Sequence, residues 1–430
     1  MIFVSIDDGE VASLRAVLDD VFGEERLVEQ LVWKNKYGSG ALTIGFANVH
    51  EYILCYSKAP LPGITAPLSE DAMSEYRGRD DKYETRGGFI TQPLATKSKD
   101  VRPNLRFPIQ WNGKEIWPEK QWVWSKERVD KALANGEIVI NESNGKASVR
   151  VKQYLRDENG TLRRGKPTSL MLGPFNQDGT EEVDQLLGDD VFDFPKPSAL
   201  IRKLFSISSG EGDTEAALYL DFFAGSGTTA QAIMDLNVQD GSDRKFILVQ
   251  LPEPTGRTDY PTIADIGEER VRRAAAKLDG ADAGKLDLDL AKQDRGFRVF
   301  RLAESNVKEW DTSIRHEVEA LEEQLRLNVD HLRHDRSELD ILFEIVLKSG
   351  FPLSVKVGEE TLEGKRVYSI ADGAFLICLE RDLTLELLRA IAARDPQRVS
   401  FLDEGFAGND QLKTNAVQTF RDKDIVFRTL

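Results

Sequence analysis

The stretch YLDFFAGSGTTAQAI, residues 219–233, governs how the rest of the chain is read. An apolar run with aromatic residues passes into two glycines, Gly225 and Gly227, then two threonines, then a helix-forming sequence. Glycine tolerates positive φ and lets the backbone approach another group closely, as a tight strand-to-helix turn requires. The helix that follows offers free N–H groups and the positive end of its dipole to a ligand. Asp221, Gly225 and Gly227 therefore set the chemistry. The plain alternative is a tight turn that holds nothing.

Three ligands suit such a turn. A nucleoside triphosphate needs G-x-x-x-x-G-K-[ST], and no lysine follows Gly227. A dinucleotide needs G-x-G-x-x-[GA], which Gly225, Gly227 and Ala230 satisfy. That reading also wants an acidic residue on the ribose at the end of the next strand, where this chain has Gln250. The third ligand is S-adenosylmethionine, whose loop uses an acidic strand end, small residues and close backbone contact. DFFAGSGTT, 221–229, resembles the S-adenosylmethionine loop of amino-methylating DNA methyltransferases, and the whole string is more specific than its glycines.

Composition narrows the class further. With 430 residues, 40% of them hydrophobic, the chain is long enough for two or three domains with cores. No apolar run reaches the ~18 residues of a membrane span, and MIFVSIDDGE lacks the pattern of a signal peptide. Cys55 and Cys378 are far apart, so neither a disulfide framework nor a zinc site is expected. Among the histidines, His331 and His334 read as a surface-helix pair, because no cysteine or third histidine joins them. These features predict a cytoplasmic, soluble, metal-independent protein. A net charge of −16 argues against nucleic-acid binding over the whole surface and leaves room for a local basic groove.

Along the chain, IFVSI (2–6) reads as a buried strand, DDGEVASLRAVLDDVFG as a helix, and LVEQLVWKN and HEYILCYSK as strands. Residues 60–190 are rich in Pro, Gly and Trp, with no persistent helix pattern. They hold four of the six tryptophans: Trp111, Trp117, Trp122 and Trp124. Nine Lys/Arg face five Asp/Glu between Lys97 and Lys131, and seven face two between Lys146 and Lys166. A phosphate backbone could sit there; a core of tryptophans in a small irregular domain is the bland reading. An α/β pattern returns with KPSALIRKLFSI (helix), ALYLDFF (strand), TTAQAIMDLN (helix) and KFILVQL (strand). TIADIGEERVRRAAAKL is a long helix with Thr262 as its N-cap, and RGFRVFRL (295–302) a further strand. Ile314, Val318, Leu321, Leu325 and Leu332 suggest an amphipathic helix facing a core rather than a dimer seam. Residues 335–430 read as a helix and several short strands.

The order of these elements and several segments together resemble the modification subunit of type III restriction–modification systems. The segments are IFVSIDDGEVASLRAVLDDVFG, NVHEYILCYSK, FPKPSALIRKLF, DFFAGSGTT, RKFILVQLPE, TIADIGEERVRR, EIVLKSGFPLSV, FLICLERDLTLELL and FLDEGFAGNDQLKTNAVQTF. The resemblance implies a β-class, adenine-specific DNA methyltransferase with a Rossmann-like α/β fold in circularly permuted motif order, an inserted target-recognition region and a small C-terminal α/β domain. Residues 1–60 would be the end of the catalytic half, 61–190 target recognition, 191–310 the S-adenosylmethionine-binding half, and 311–430 a helical linker and C-terminal domain. The activity implied is methyl transfer from S-adenosylmethionine to the 6-amino group of adenine in duplex DNA, with the base flipped out of the stack. By position, Asp221, Phe222, Phe223, Gly225 and Gly227 would line the cofactor, Lys196 and Pro197 would approach its carboxylate end, and Gln250 its ribose. One of Phe222 and Phe223 is expected in the core and the other on the adenine ring. The family acts as a dimer with an ATP-dependent restriction subunit, and residues 311–430 are the expected place for part of those contacts.

The catalytic [Asp/Asn/Ser]-Pro-Pro-[Tyr/Phe/Trp] motif of such enzymes is not found, because the chain contains no Pro-Pro pair. In the family that motif precedes the segment resembling IFVSIDD. The expectation is therefore an N-terminally truncated copy, with an open sheet edge beside IFVSI and a need for its other half in trans. Two further readings stay open. One is a non-catalytic DNA-recognition and assembly subunit that binds cofactor only; the other is a nicotinamide-dependent dehydrogenase, which Gln250 opposes.

Overall fold

The computed structural model of the chain describes residues 1–38, 45–61, 63–96, 100, 102–143, 146–208, 217–282, 294–307, 332–333, 335–406 and 408–430. They divide into two units, Met1–Val299 and Phe300–Leu430. Both are mixed α/β.

The first unit opens with β1 (Ile2–Ile6), α1 (Val11–Phe22), β2 (Leu27–Lys34) and β3 (His50–Tyr56). β3 runs antiparallel between β1 and β2, and a short strand at Leu170–Leu172 adds parallel to β2. The last four residues of β3 are all buried because both of its faces are covered. Leu54 and Tyr56 pack with Leu18 of α1, while Ile53 packs with Leu31, Trp33, Leu200 and Leu204 on the other face. Cys55 lies in this layer, and burial pushes its thiol up to about 12. The expectation of a buried strand at IFVSI is corrected: β1 is half-buried, because among the described residues it pairs with β3 alone.

The Trp-rich insertion builds its own core. Trp122 is 2% exposed and packs with Leu94, Phe107, Ile109, Ile116, Val129 and Val149, with Trp111 and Trp124 at the margin. Trp117 points out. A three-stranded antiparallel sheet, with Lys146–Tyr154 between Ile138–Ser143 and Phe89–Pro93, carries a buried polar knot. Asp80 accepts from Lys152 Nζ and Tyr154 Oη, both at 2.6 Å. Burial alone would raise the Asp80 carboxyl, but these bonds and the Lys82 backbone N–H outweigh it and hold it below its ordinary value. The sequence pattern of 60–190 does not disclose the helices Lys126–Ala134 and α2 (Asn176–Leu187).

The unit continues through α3 (Ser198–Ser208), β4 (Leu218–Asp221), α4 (Thr228–Asp240), β5 (Lys245–Leu248) and α5 (Ile263–Asp282). β4 and β5 are parallel, with Asp221 opposite Leu248. Phe246 and Leu248 pack on Ala230, Met234, Val271 and Ala274, so α4 and α5 cover one face of this strand pair. The alternating RGFRVFRL does not form a strand: residues 294–303 are irregular. Phe297 packs into the core beneath α5, and Arg295 pairs with Asp279 at 2.7 Å and Asp282 at 2.5 Å. With side-chain anchors and, among the described residues, no neighbouring strand to supply a ladder, period-two alternation alone makes no sheet.

The second unit holds the helix Glu338–Lys348 and a five-stranded sheet, in the order Val357–Leu362, Lys365–Ile370, Phe375–Cys378, Arg398–Phe401, Val426–Thr429. The last two pairings are parallel and need the crossover helices Leu385–Ala393 and Asp410–Arg421. Phe401, Phe406, Phe420 and Phe427 cluster with ring centroids 5.7 to 6.2 Å apart. The helix expected over 314–332 falls on residues 308–331, outside the described residues except for Leu332, and His331 and His334 are likewise outside them.

The Asp80 knot generates a test. The carboxyl titrates lower folded than unfolded, so its contribution is complete above the unfolded range near pH ~4 and fades as pH falls through the folded value. Asp80→Asn is expected to lower stability by about 1–3 kcal/mol at neutral pH. The gap between variant and parent should narrow on acidification, in urea unfolding followed by tryptophan fluorescence.

Candidate functional site at the glycine turn

The turn after β4 is held by its own backbone. Gly225 and Gly227 adopt φ of 52° and 78°, which a residue with a Cβ resists. A Cβ on Gly227 would stand 3.0 Å from the carbonyl oxygen of Gly267, and one on Gly267 would stand 3.1 Å from that of Gly225. The turn and α5 therefore touch backbone to backbone. Asp221 clamps the turn from the strand side. Its Oδ1 accepts from Phe223 N at 3.1 Å and its Oδ2 from Thr229 Oγ1 at 2.6 Å. Gln250 closes the far side, its Oε1 accepting from Gly225 N at 2.7 Å.

These bonds bear on the ligand. Four amides of the turn point to protein acceptors: Phe223 N to Asp221, Ala224 N to Val249 O, Gly225 N to Gln250 and Gly227 N to Ala224 O. A loop that cradles phosphate aims its amides at the ligand. Here those four hold the turn's own shape.

Phe222 and Phe223 are 46% and 78% exposed, with ring centroids 5.2 Å apart. The expectation that one of them is a core residue is corrected: both rings lie in the turn beyond the end of β4 and are exposed. Both offer a face at the mouth of the turn.

Lys196 and Pro197 form the opposite wall. Lys196 is not merely solvated. Its Nζ lies 2.5 Å from Glu51 Oε2 and 5.0 Å from the centroid of Trp33. Its carbonyl accepts from Thr228 Oγ1 at 3.1 Å, tying this wall to the first residue of α4. Gly179 of α2 lets the two segments meet, since a Cβ there would lie 2.3 Å from Pro195 O. The structure thus brings Lys196, Asp221, Gly225, Gly227 and Gln250 into one bonded constellation, with Phe222 and Phe223 at its rim and Pro197 beside Lys196.

Sequence reasoning missed Glu51, Glu182, Thr229 and Arg270. Arg270 is fully buried in α5 and donates to Ser226, Thr228, Gln231 and Glu182. Within EERVRR it resembles any solvated arginine. Its place was nonetheless marked, because it stands on the buried stripe Ile266, Gly267, Arg270, Val271, Ala274.

The second basic stretch, Lys146–Lys166, is largely bonded within the protein. Lys152 pairs with Asp80. Arg150 donates to Thr91 O, Arg156 to Gly160 O, Arg163 to Tyr154 O, and Arg164 to Thr65 O and Ser206 O. A guanidinium bonded to a neutral carbonyl keeps its charge, so a positive potential persists there.

The turn's geometry predicts a graded response to alanine. Gly136 has φ of 65° with no atom within 4 Å of a built Cβ. Gly136→Ala should cost only the left-handed backbone penalty, ~1–2 kcal/mol. Gly227→Ala adds the clash with Gly267 and should cost about 3 kcal/mol or more. Denaturant midpoints of the two variants check the order.

Comparison with known proteins accords with this arrangement. The type III restriction–modification enzyme StyLTI Mod subunit of Salmonella typhimurium is 30% identical over 311 residues, covering 70% of this chain and 45% of that protein. The type II methyltransferase M.KpnI of Klebsiella pneumoniae is 28% identical, covering 60% and 64%. The type III EcoP15I Mod subunit of Escherichia coli is 25% identical, covering 98% and 68%. The chain thus spans 45 to 68% of the length of these relatives. The family model described as DNA methylase matches residues 1–272, which contain the turn, both its walls and the insertion. On that match, covering more than half of its length, the chain belongs to the DNA methylase family.

Proposed function

We propose that this chain carries the cofactor-binding and DNA-recognition parts of an adenine-specific DNA methyltransferase of the type III modification kind. The activity is methyl transfer from S-adenosylmethionine to the 6-amino group of adenine in duplex DNA. The observation that carries the reading is the turn at 221–229, whose amides close on the protein while two exposed rings flank its mouth. S-adenosylmethionine, when bound, supplies an electrophilic methyl group. Phe222 and Phe223 would offer their faces to its adenine ring. Asp221 and Gln250 hold the turn's shape, and Gln250 would approach the ribose. Lys196 would attract its carboxylate, with Glu51 holding the ammonium in place. Pro197 keeps that wall extended.

The motif order is then the permuted one, with residues 1–60 as the end of the catalytic half, 61–190 as target recognition and 191–310 as the cofactor half. The insertion's arginines would set position on phosphates. Residues 311–430 are the proposed place for contacts with a second copy and with an ATP-dependent restriction subunit.

One observation favours a partner for the first unit. Among the described residues β1 pairs only with β3 and β4 only with β5. Leu218 and Leu220, on the face of β4 away from its helices, are 51% and 60% exposed. Open strand edges with apolar faces invite another strand. We place there a segment bearing the Pro-Pro motif. The second reading, a subunit that binds cofactor without transfer, rests on the lack of a Pro-Pro pair in the sequence.

The test is methyl-labelled S-adenosylmethionine with heterogeneous duplex DNA, with S-adenosylhomocysteine binding followed by calorimetry. The chain is expected to bind S-adenosylhomocysteine, to be weakened by Phe223→Ala, and to label adenine only when a polypeptide bearing the Pro-Pro segment is added. Absence of binding overturns the reading. Transfer by the chain alone removes the need for the added segment.

A further inference from the structure

Arg270 is 0% exposed, yet four acceptors surround it. Nη1 donates to Ser226 Oγ at 2.7 Å and to Thr228 Oγ1 at 2.8 Å, both on the glycine turn or the first residue of α4. Nε donates to Gln231 Oε1 at 3.0 Å, and Nη2 to Glu182 Oε2 at 3.1 Å. Glu182, on α2, also accepts from Ser198 N at 3.0 Å and from Ser198 Oγ at 2.7 Å. Ser198 directly follows Lys196 and Pro197. A single guanidinium therefore stands between the two walls of the turn. One hand is on the loop, the other on the carboxylate that pins the Lys196–Ser198 wall.

Stability alone is a weak reason for this arrangement. A buried ion pair with one carboxylate often contributes no more than apolar residues of equal volume would. Burial pushes the Arg270 guanidinium down to about 10, a sign that the fold carries a desolvation cost here. What the planar fork gains is geometry, since it bonds several acceptors in fixed directions at once. The Thr228 hydroxyl completes the circuit by donating to Lys196 O while accepting from Arg270.

We propose that Arg270 is a positioning residue that makes the loop 222–228 and the wall 196–198 order as one unit, so that a ligand held by one is felt at the other. This rests on the reading of the turn as the S-adenosylmethionine site.

The test separates the two claims. Hydrogen exchange of the full chain, read by mass spectrometry, reports the coupling without any ligand. Glu182→Gln is the decisive variant, because among the described bonds Glu182 touches Arg270 and Ser198 but no atom of the loop. It should speed exchange in peptides spanning 222–230 by about tenfold, within the usual range for coupled neighbours. The sheet of β1–β3 should be unchanged. Arg270→Lys, whose ammonium cannot span all four acceptors, should loosen 196–198 and 222–230 together. Acceleration confined to 196–198 in Glu182→Gln, or spread over the whole unit, overturns the proposal. Calorimetry with S-adenosylhomocysteine is the second arm. If the parent chain does not bind it, the reading of the site fails while exchange still judges the coupling. If the parent binds, Glu182→Gln should weaken binding by about tenfold, and unchanged affinity overturns the claim that the walls act together on a ligand.

Discussion

The contact between Gly225, Gly227 and Gly267 is the constraint on which the first unit's site depends. Two backbones meet with no room for a Cβ. That closeness lets α5 reach under the turn, puts Arg270 within reach of Ser226 and Thr228, and fixes where α4 begins. A side chain at Gly227 or Gly267 would press the turn against α5 and strain the bonded circuit behind it. The Asp221 clamp and the Gln250 bond act on the opposite side of the same loop. The turn is thus gripped from both faces, with four of its amides bonded within the protein.

Electrostatics follows a similar logic. The chain is acidic, with a net charge of −16, but its insertion concentrates arginines whose donors end on backbone carbonyls. These bonds stiffen the insertion without neutralising it. The pair of Asp80 with Lys152 is tucked beside Tyr154 and serves the fold. The charge of these arginines is held in place by architecture. Ordering such groups costs little entropy when a ligand arrives.

The half-open character of the first unit fits the same functional picture. Parallel strand pairs are normally covered on both faces. Here α4 and α5 cover one face of β4 and β5, while Leu218, Leu220 and Val249 remain exposed on the other. The apolar content of β1 and β4 is that of interior strands, and their half-exposed state is a property of what pairs with them.

Much was legible in the sequence by itself, because it rests on local rules. The glycine turn, its strand and helix, the β1–α1–β2–β3 opening and the α/β character of both units follow from periodicity, capping and backbone freedom within a few residues. RGFRVFRL misled for the complementary reason: alternation is local, but a strand needs a neighbour, and nothing in the eight residues says whether one is there. The same holds for Phe222 and Phe223, whose apolar rings suited a core but stand exposed in the turn. Which of three arginines in EERVRR goes inside, which lysine pairs with Glu51 and which tryptophan points out were decided by contacts between residues tens to more than a hundred positions apart. Such contacts have no local signature. Composition and spacing determined that this chain has a glycine-rich strand-to-helix turn in an α/β frame. Only the packing of α2, α3 and α5 around that turn decided which polar groups hold it together, because burial and hydrogen-bond partners are properties of the folded chain.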